Sequence, residues 1–139
     1  MNTFCDALWE ELHKIEEKHR VVGIDCEWDV HKNADGYVIG TSKVCTCQIA
    51  YVTVDNECKC CILRILRYDT LPSRLLDLFK DETIAFVGIC VGGDMARIGR
   101  DYHCLDIMKD MKRLINLGQF DRRRNVISSG VTSLEKKFL

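Results

Sequence analysis

The run VVGIDCEWDV, residues 21–30, constrains this chain more than any other segment, because two acids interrupt a strand-forming apolar stretch. Side chains alternate between the faces of a strand, so Asp25 and Glu27 share one face and their neighbours can fill a core on the other. Two like charges held this close repel each other, and a buried charge is costly unless it is paired or bound to a metal. Carboxylate oxygens suit a hard cation such as Mg²⁺ or Mn²⁺. The alternative is an edge strand whose acids face solvent.

Length and charge limit the other classes of protein. The 139 residues suffice for a single domain with a hydrophobic core, and no apolar run is long enough to span a bilayer. The net charge of −1 gives no general attraction for nucleic acid. A basic footprint must therefore be local, and residues 122–124 are three arginines that form either a phosphate contact or a solvated loop. Without a signal-peptide core the expected location is intracellular, in the nucleus, the cytoplasm or both.

Nine cysteines are an odd number and a high one for this length. Several lie inside apolar strand-like runs, where free cysteine behaves as a small hydrophobic residue, so reduced thiols are predicted. Two groups also suggest zinc, Cys45 with Cys47 and Cys58 with Cys60 and Cys61. If a tight turn joins the two strands, Cys60 lies opposite Tyr51 and Cys47 lies roughly 13 Å further along. That separation is too large for one zinc ion.

Hydrophobic periodicity and turn signals predict three initial strands followed by alternating helices and strands. The predicted elements are a helix over 4–18, strands over 21–28, 43–53 and 58–65, a helix over 72–80, a strand over 83–93, a helix capped by Asp94, a short strand and then a helix within 104–117, a loop over 119–130 and a helix over 132–139. This order predicts an α/β fold, with a mixed sheet whose first three strands are antiparallel and with helices flanking it.

Asp94 is the third acid that the pattern singles out. The string FVGICVGGD ends a fully apolar strand in glycines and places this carboxylate where a helix begins. Ligands of open α/β sheets gather at the carboxyl ends of strands. Considered alone, Asp94 is a helix cap, but a cap and a metal ligand can share one position.

Three segments, VVGIDCEW, CTCQIAYV and CILRILRYDTLPSRLLDLFKDETIAFVGICVGGDMARIGRDYHC, resemble in this order the Werner-syndrome-like 3′–5′ exonucleases, the plant-type members most of all. That family belongs to the DEDD superfamily and has a ribonuclease-H-like fold. The resemblance covers about residues 20–139 of the single domain 1–139, after an N-terminal helix over 1–20. The matching positions are Asp25 and Glu27 for the D-x-E motif, Val87, Gly88 and Asp94 for the V-G-x-x-x-x-x-D motif, and Gln48 on the second strand.

The resemblance implies a nuclease that removes nucleotides from the 3′ end of DNA or RNA. Two Mg²⁺ or Mn²⁺ ions at the scissile phosphate would generate the nucleophile and stabilise the departing oxygen. By the same resemblance Asp25 bridges both ions, Glu27 holds the nucleophile-side ion, and Asp94 serves the other directly or through water. Trp28 is predicted to close the core.

One part of the family pattern has no counterpart in this sequence. The family carries a fourth acid, usually preceded by a tyrosine four residues earlier, on a last helix. The chain ends at Leu139 before such a helix, so the expectation is a C-terminally incomplete fold with impaired cleavage. Two Y-x-x-x-D strings, Tyr51 to Asp55 and Tyr102 to Asp106, are rejected because they lie in a hairpin and in a connection. The alternative function is a non-catalytic relic that binds nucleic acid or protein, and uncovered apolar surface would allow a homo-oligomer.

Overall fold

The structure, a computed structural model, describes residues 2–122. Its helices and strands, in chain order, are α1 Asn2–His13, β1 Val21–Glu27, β2 Val30–Lys32, β3 Val38–Thr41, β4 Thr46–Val52, β5 Cys58–Arg64, α2 Ser73–Lys80, β6 Ala85–Gly88, α3 Val91–Tyr102, α4 Ile107–Asp110, β7 Leu114–Asn116 and α5 Leu117–Arg122. A short 3-10 turn, Glu17–His19, comes just before β1. Within these described residues, no helix combines the length and the apolar character needed to cross a membrane.

Five strands form one mixed sheet in the order β5-β4-β1-β6-β7. The first three strands of this sheet along the chain, β1, β4 and β5, pair antiparallel. Strands β6 and β7 then run parallel to β1. The predicted α/β architecture, with an antiparallel start, a mixed sheet and flanking helices, is therefore confirmed.

The alternation in β1 determines where the core lies. Val22, Ile24 and Cys26 are buried, whereas Asp25 is only half-buried and Glu27 is exposed. Buried residues of β4 continue the apolar face, and helix α1 packs on it, since the Tyr51 hydroxyl of β4 donates to Glu11 of α1. Burying each large aliphatic side chain contributes roughly 1.5–3 kcal/mol. The two faces of β1 thus separate the packing residues from the acids.

The residues around 104–117 form elements in the opposite order from the prediction. Helix α4 comes first and strand β7 second, so the predicted strand-then-helix order is wrong. The segment MKRLINL has helical spacing, but Leu114 pairs with Phe86 in the parallel ladder. Arg113 also donates to the Thr83 carbonyl at 2.9 Å, which anchors the entry to β7. Pairing with β6 therefore outweighs the local helical preference.

The helix that carries Asp94 begins earlier than predicted. Helix α3 starts at Val91, and Cys90, in a left-handed conformation with φ of 54°, precedes it as the cap. The prediction that Asp94 caps the helix is wrong, because Asp94 lies in its first turn. The strand ends at Gly88, where a Cβ would come within 2.4 Å of the Ile24 carbonyl oxygen, so only glycine fits beside β1.

Several element boundaries also differ from the predictions. Helix α1 ends at His13 rather than at residue 18, and α5 occupies 117–122, part of which was predicted as loop. Cys60 pairs with Ala50 rather than with Tyr51, because the β4–β5 turn starts one residue earlier. All nine cysteines are free thiols, as predicted. The remainder of the predicted loop, with two of its three arginines, and the predicted helix over 132–139 lie outside the described residues.

The small hairpin of β2 and β3 was not predicted. The string HKNADGY is polar and contains an Asp-Gly turn signal, and residues 31–39 are all exposed. The Asn33 side chain accepts hydrogen bonds from the backbone of Asp35 and Tyr37, both at 3.0 Å, and Gly36 has φ of 84°. The hairpin therefore forms through turn chemistry rather than through a buried apolar face.

Candidate metal centre

Asp25 and Asp94 approach each other although they are 69 positions apart in sequence. Asp25 comes from the central strand β1, on the face away from α1, and Asp94 comes from the first turn of α3. Asp25 lies close enough to Asp94 for both its charge and its side chain to raise the pKa of Asp94. Asp94 is buried, with 7% of its surface exposed, and is the one buried polar or charged residue in the described part of the chain. The fold thus buries one acid against a second.

The electrostatics of Asp94 follow from this placement. Burial, and after it the charge of Asp25, raises the pKa of Asp94 to about 7. The backbone amide of Cys26 lowers it, while contact with Asp25 and the charge of Glu27 raise it further. Such a perturbation by burial and a like charge is typical of functional sites.

Glu27 is close enough to affect Asp94 but is not part of the buried contact. Its side chain is exposed at the end of β1. Among the described residues, no group of three or more His, Cys, Asp or Glu side chains could hold a metal ion as arranged. The structure therefore brings together two of the three predicted acids and leaves the third exposed beside them.

The pair nevertheless fits a hard divalent cation in its donor chemistry. The Oδ2 atom of Asp94 is buried and has no hydrogen-bond partner among the described residues. A buried oxygen without a donor is expensive, and a cation would satisfy it while neutralising its repulsion with Asp25. Gln48 lies directly opposite Asp25 in the β1–β4 ladder, and its Oε1 atom also finds no partner in the described part of the structure. Oxygen acceptors that lack donors thus cluster on this face.

Neither tyrosine of the rejected Y-x-x-x-D strings is available to this site. The Tyr51 hydroxyl donates to Glu11 on the opposite face of the sheet. The buried Tyr102 hydroxyl donates to the Val44 carbonyl at 2.7 Å. Both hydroxyl protons already have acceptors within the core or its edge.

Arg97, one turn after Asp94 on α3, was not predicted as a site residue. Its guanidinium carbon is 4.1 Å from the centre of the Trp28 ring, and Trp28 packs against the core as predicted. The sequence held one signal for Arg97, its spacing from Asp94, because a residue three positions after Asp94 lies on the same side of a helix. A contact between two elements has no signature in either element alone.

The mixed five-stranded sheet, its flanking helices and the acid at its central strand define the ribonuclease-H-like exonuclease fold. The exonuclease domain of EXD2 has this fold, with a TM-score of 0.58 and 26% identity over 88% of this chain and 59% of that chain. The same domain soaked in Mg and dGMP matches with a TM-score of 0.57 and 27% identity, over 86% of this chain and 54% of that chain. The domain soaked in Mn and dGMP matches with a TM-score of 0.59 and 26% identity, over 94% of this chain and 58% of that chain.

This chain spans less than two thirds of the length of those EXD2 structures. No protein-family model matches the sequence. No curated protein matches it either. The comparisons therefore establish the fold.

Proposed function

We propose that this chain is a metal-dependent 3′–5′ exonuclease domain of the DEDD, Werner-like type that acts on nucleic acid. The observation that carries the proposal is the buried Asp25–Asp94 contact with its unpartnered oxygen, located on a fold shared with the EXD2 exonuclease domain. Crystals of that domain were soaked in Mg, Mn, GMP and dGMP, which supports divalent cations and nucleotides as ligands here.

Asp25, Glu27 and Asp94 would hold Mg²⁺ or Mn²⁺ in this function. Bound there, the cations supply a nucleophile near neutral pH and stabilise the charge that develops on the phosphate. The chain's own contribution is to hold two carboxylates in contact despite their repulsion, and to shield Asp94 from water. A nearby cation favours the ionised carboxylates, so binding would reverse the rise in the pKa of Asp94.

A second candidate function is a non-catalytic relic that binds nucleic acid or a protein partner. The observation that favours it is that the described acids do not already form a three-ligand cluster. In the DEDD family a fourth acid completes the site, so impaired cleavage remains a prediction. The intracellular location, the single-domain organisation and a homo-oligomer also remain predictions.

A directional digestion assay separates these functions. A single-stranded oligonucleotide labelled at its 5′ end, in DNA and RNA versions, is incubated with the protein and Mn²⁺ or Mg²⁺. A 3′–5′ exonuclease gives a ladder of progressively shorter labelled products, and EDTA or the substitution Asp25→Asn abolishes it. Immediate release of the labelled terminal nucleotide would contradict the direction, and binding without shortening would support the relic.

A further inference from the structure

Trp28 and Arg97 join the two elements that carry the candidate ligands. Trp28 directly follows Glu27 at the end of β1, and Arg97 lies one turn after Asp94 on α3. The guanidinium lies over the indole ring with 4.1 Å between its carbon and the ring centre. A cation this close to the face of a tryptophan ring is attracted by it, more strongly as water is excluded. The Arg97 side chain is only 16% exposed, so water is largely excluded here.

The same guanidinium also reaches the base of the hairpin that follows Trp28. Its Nη2 atom donates to the Thr41 hydroxyl and, at 3.4 Å, to the Ser42 carbonyl. Ser42 in turn closes the hairpin, because its Oγ accepts from the Asp29 amide and its own amide donates to the Asp29 carbonyl, each at 2.9 Å. Arg97 therefore contacts the connection between β1 and β2 as well as the end of β3.

Asp101 forms a long ion pair with Arg97 one turn further along α3. Its Oδ2 atom lies 3.8 Å from the Arg97 Nε and accepts a 3.0 Å hydrogen bond from the Val44 amide. The separation of 3.8 Å is too long for a hydrogen bond, and Nε is a buried donor without a partner among the described residues. Burying an imperfectly paired guanidinium costs stability, so its placement is better explained by what it positions.

We propose that Arg97 and Trp28 are positioning residues that hold the end of β1, with Glu27, against α3, so that Glu27 can join Asp25 and Asp94 around one cation. This inference rests on the proposed function. It assigns the pair no contact with substrate or metal. Loosening the pair would let the exposed Glu27 move away from the buried acids and would leave the Asp25–Asp94 contact in place.

Electrostatics alone predicts the opposite change in cation affinity when the charge of Arg97 is removed. A fixed positive charge near a cation site repels the incoming ion, so removing it should tighten binding. If Arg97 acts by positioning, removing it should weaken binding. The sign of the change in Mn²⁺ affinity therefore distinguishes the two.

The experiment measures Mn²⁺ affinity, from the signal of the free ion in electron paramagnetic resonance, for the intact chain and five variants. Arg97→Met and Trp28→Leu break the contact between Arg97 and Trp28. Arg97→Lys keeps the positive charge but lacks the planar guanidinium group. Arg100→Met is the matched control, because Arg100 lies on the same helix and pairs with Asp101 at 3.2 Å but is exposed. Asp94→Asn tests the metal site itself. Amide hydrogen exchange at residues 41–45, without metal, reports on the hairpin base.

We expect Arg97→Met and Trp28→Leu to weaken Mn²⁺ binding by about tenfold, the lower end of the range for residues that orient metal ligands. Arg97→Lys should fall between Arg97→Met and the unmodified chain, and Arg100→Met should bind as tightly as the unmodified chain or slightly tighter. Exchange at residues 41–45 should speed up in Arg97→Met and not in Arg100→Met.

Unchanged or tighter binding by Arg97→Met, with binding that still depends on Asp94, would overturn the positioning role. Absence of any Asp94-dependent binding in the unmodified chain would instead overturn the proposed function. The two failures are therefore distinguishable, and amide exchange in the five-stranded sheet, away from residues 41–45, shows whether each variant has kept its fold.

Discussion

Asp81 and Asp94 are both largely buried acids, and they differ in what surrounds them. Asp81 follows α2 and accepts hydrogen bonds from the amide and hydroxyl of Thr83, at 2.8 and 2.6 Å, with the His13 ring 2.9 Å away. Burial alone would raise the pKa of Asp81, but the Thr83 donors and His13 outweigh it and the pKa is lowered. Asp94 has another acid as its neighbour, and its pKa is raised. Burial therefore does not decide the role of an acid, whereas its partners do.

Glu11 extends the comparison to the far side of the sheet. It accepts hydrogen bonds from Lys59, at 2.7 Å, and from Tyr51, and these donors lower its pKa. Like Asp81, this acid has donors supplied by the chain and stabilises the native packing. On the opposite face, the buried Oδ2 atom of Asp94 has no donor among the described residues, which is the arrangement expected where a ligand supplies the positive charge.

The largest expected effect is on nuclease activity. Asp94→Asn removes a charged ligand from the site and should lower exonuclease activity at least about a thousandfold, because catalytic constellations fail as a unit. Asp81→Asn, assayed at a temperature where both variants are folded, should keep activity within about threefold of the unmodified chain. Equal losses in the two variants would remove the distinction between the acids.

The next effect is on the pH dependence of stability without metal. Because the pKa of Asp94 is raised from 3.8 to about 7, the folded state binds more protons than the unfolded state between these values. Stability should therefore fall as pH rises through this window, by about 2–4 kcal/mol. Asp94→Asn should lack this fall. Urea unfolding at pH 5 and pH 8 in EDTA measures the difference. The same change in the free energy of unfolding between the two pH values in both proteins would contradict the buried pair.

Asp81 should show the opposite sign. Its lowered pKa contributes stability that is present above the unfolded value near 4 and is lost as pH falls through the folded value. Asp81→Asn should therefore cost about 1–3 kcal/mol at pH 7 and less at pH 3. Thermal unfolding at the two pH values checks this, and a cost that grows toward low pH would be inconsistent with it.

The smallest effect is expected at the Glu11 contact. Tyr51→Phe keeps the buried ring and removes only the hydroxyl that donates to Glu11. Stability should fall by about 1 kcal/mol, and exonuclease activity should not change. Loss of activity in this variant would mean that Tyr51 acts at the site after all.

Much of the fold could be predicted from the sequence, because its signals are local. The alternation in β1 and the tight turn between β4 and β5 each identified elements. The hairpin β2–β3 has no buried face, and the helical spacing around Leu114 is outweighed by its pairing with Phe86. Pairing between distant strands is decided by the whole fold and has no local signature.

The candidate site was predictable only in part, for the same reason. Asp25 and Glu27 stood out because acids in an apolar strand are costly, and Asp94 because it follows a strand that ends in glycines. The contact between Asp25 and Asp94, the exposure of Glu27 and the stacking of Arg97 on Trp28 all depend on how α3 packs beside β1. None of these follows from the spacing of residues.

The most direct test of the account is the anomalous diffraction of crystals soaked in MnCl₂ at pH 7.5. The account predicts a manganese peak within coordination distance, about 2–2.5 Å, of carboxylate oxygens of both Asp25 and Asp94. It also predicts that crystals of Asp94→Asn give no peak at that position. A fully ordered pair without manganese in the unmodified protein, joined instead by a shared proton, would contradict a cation site between these acids.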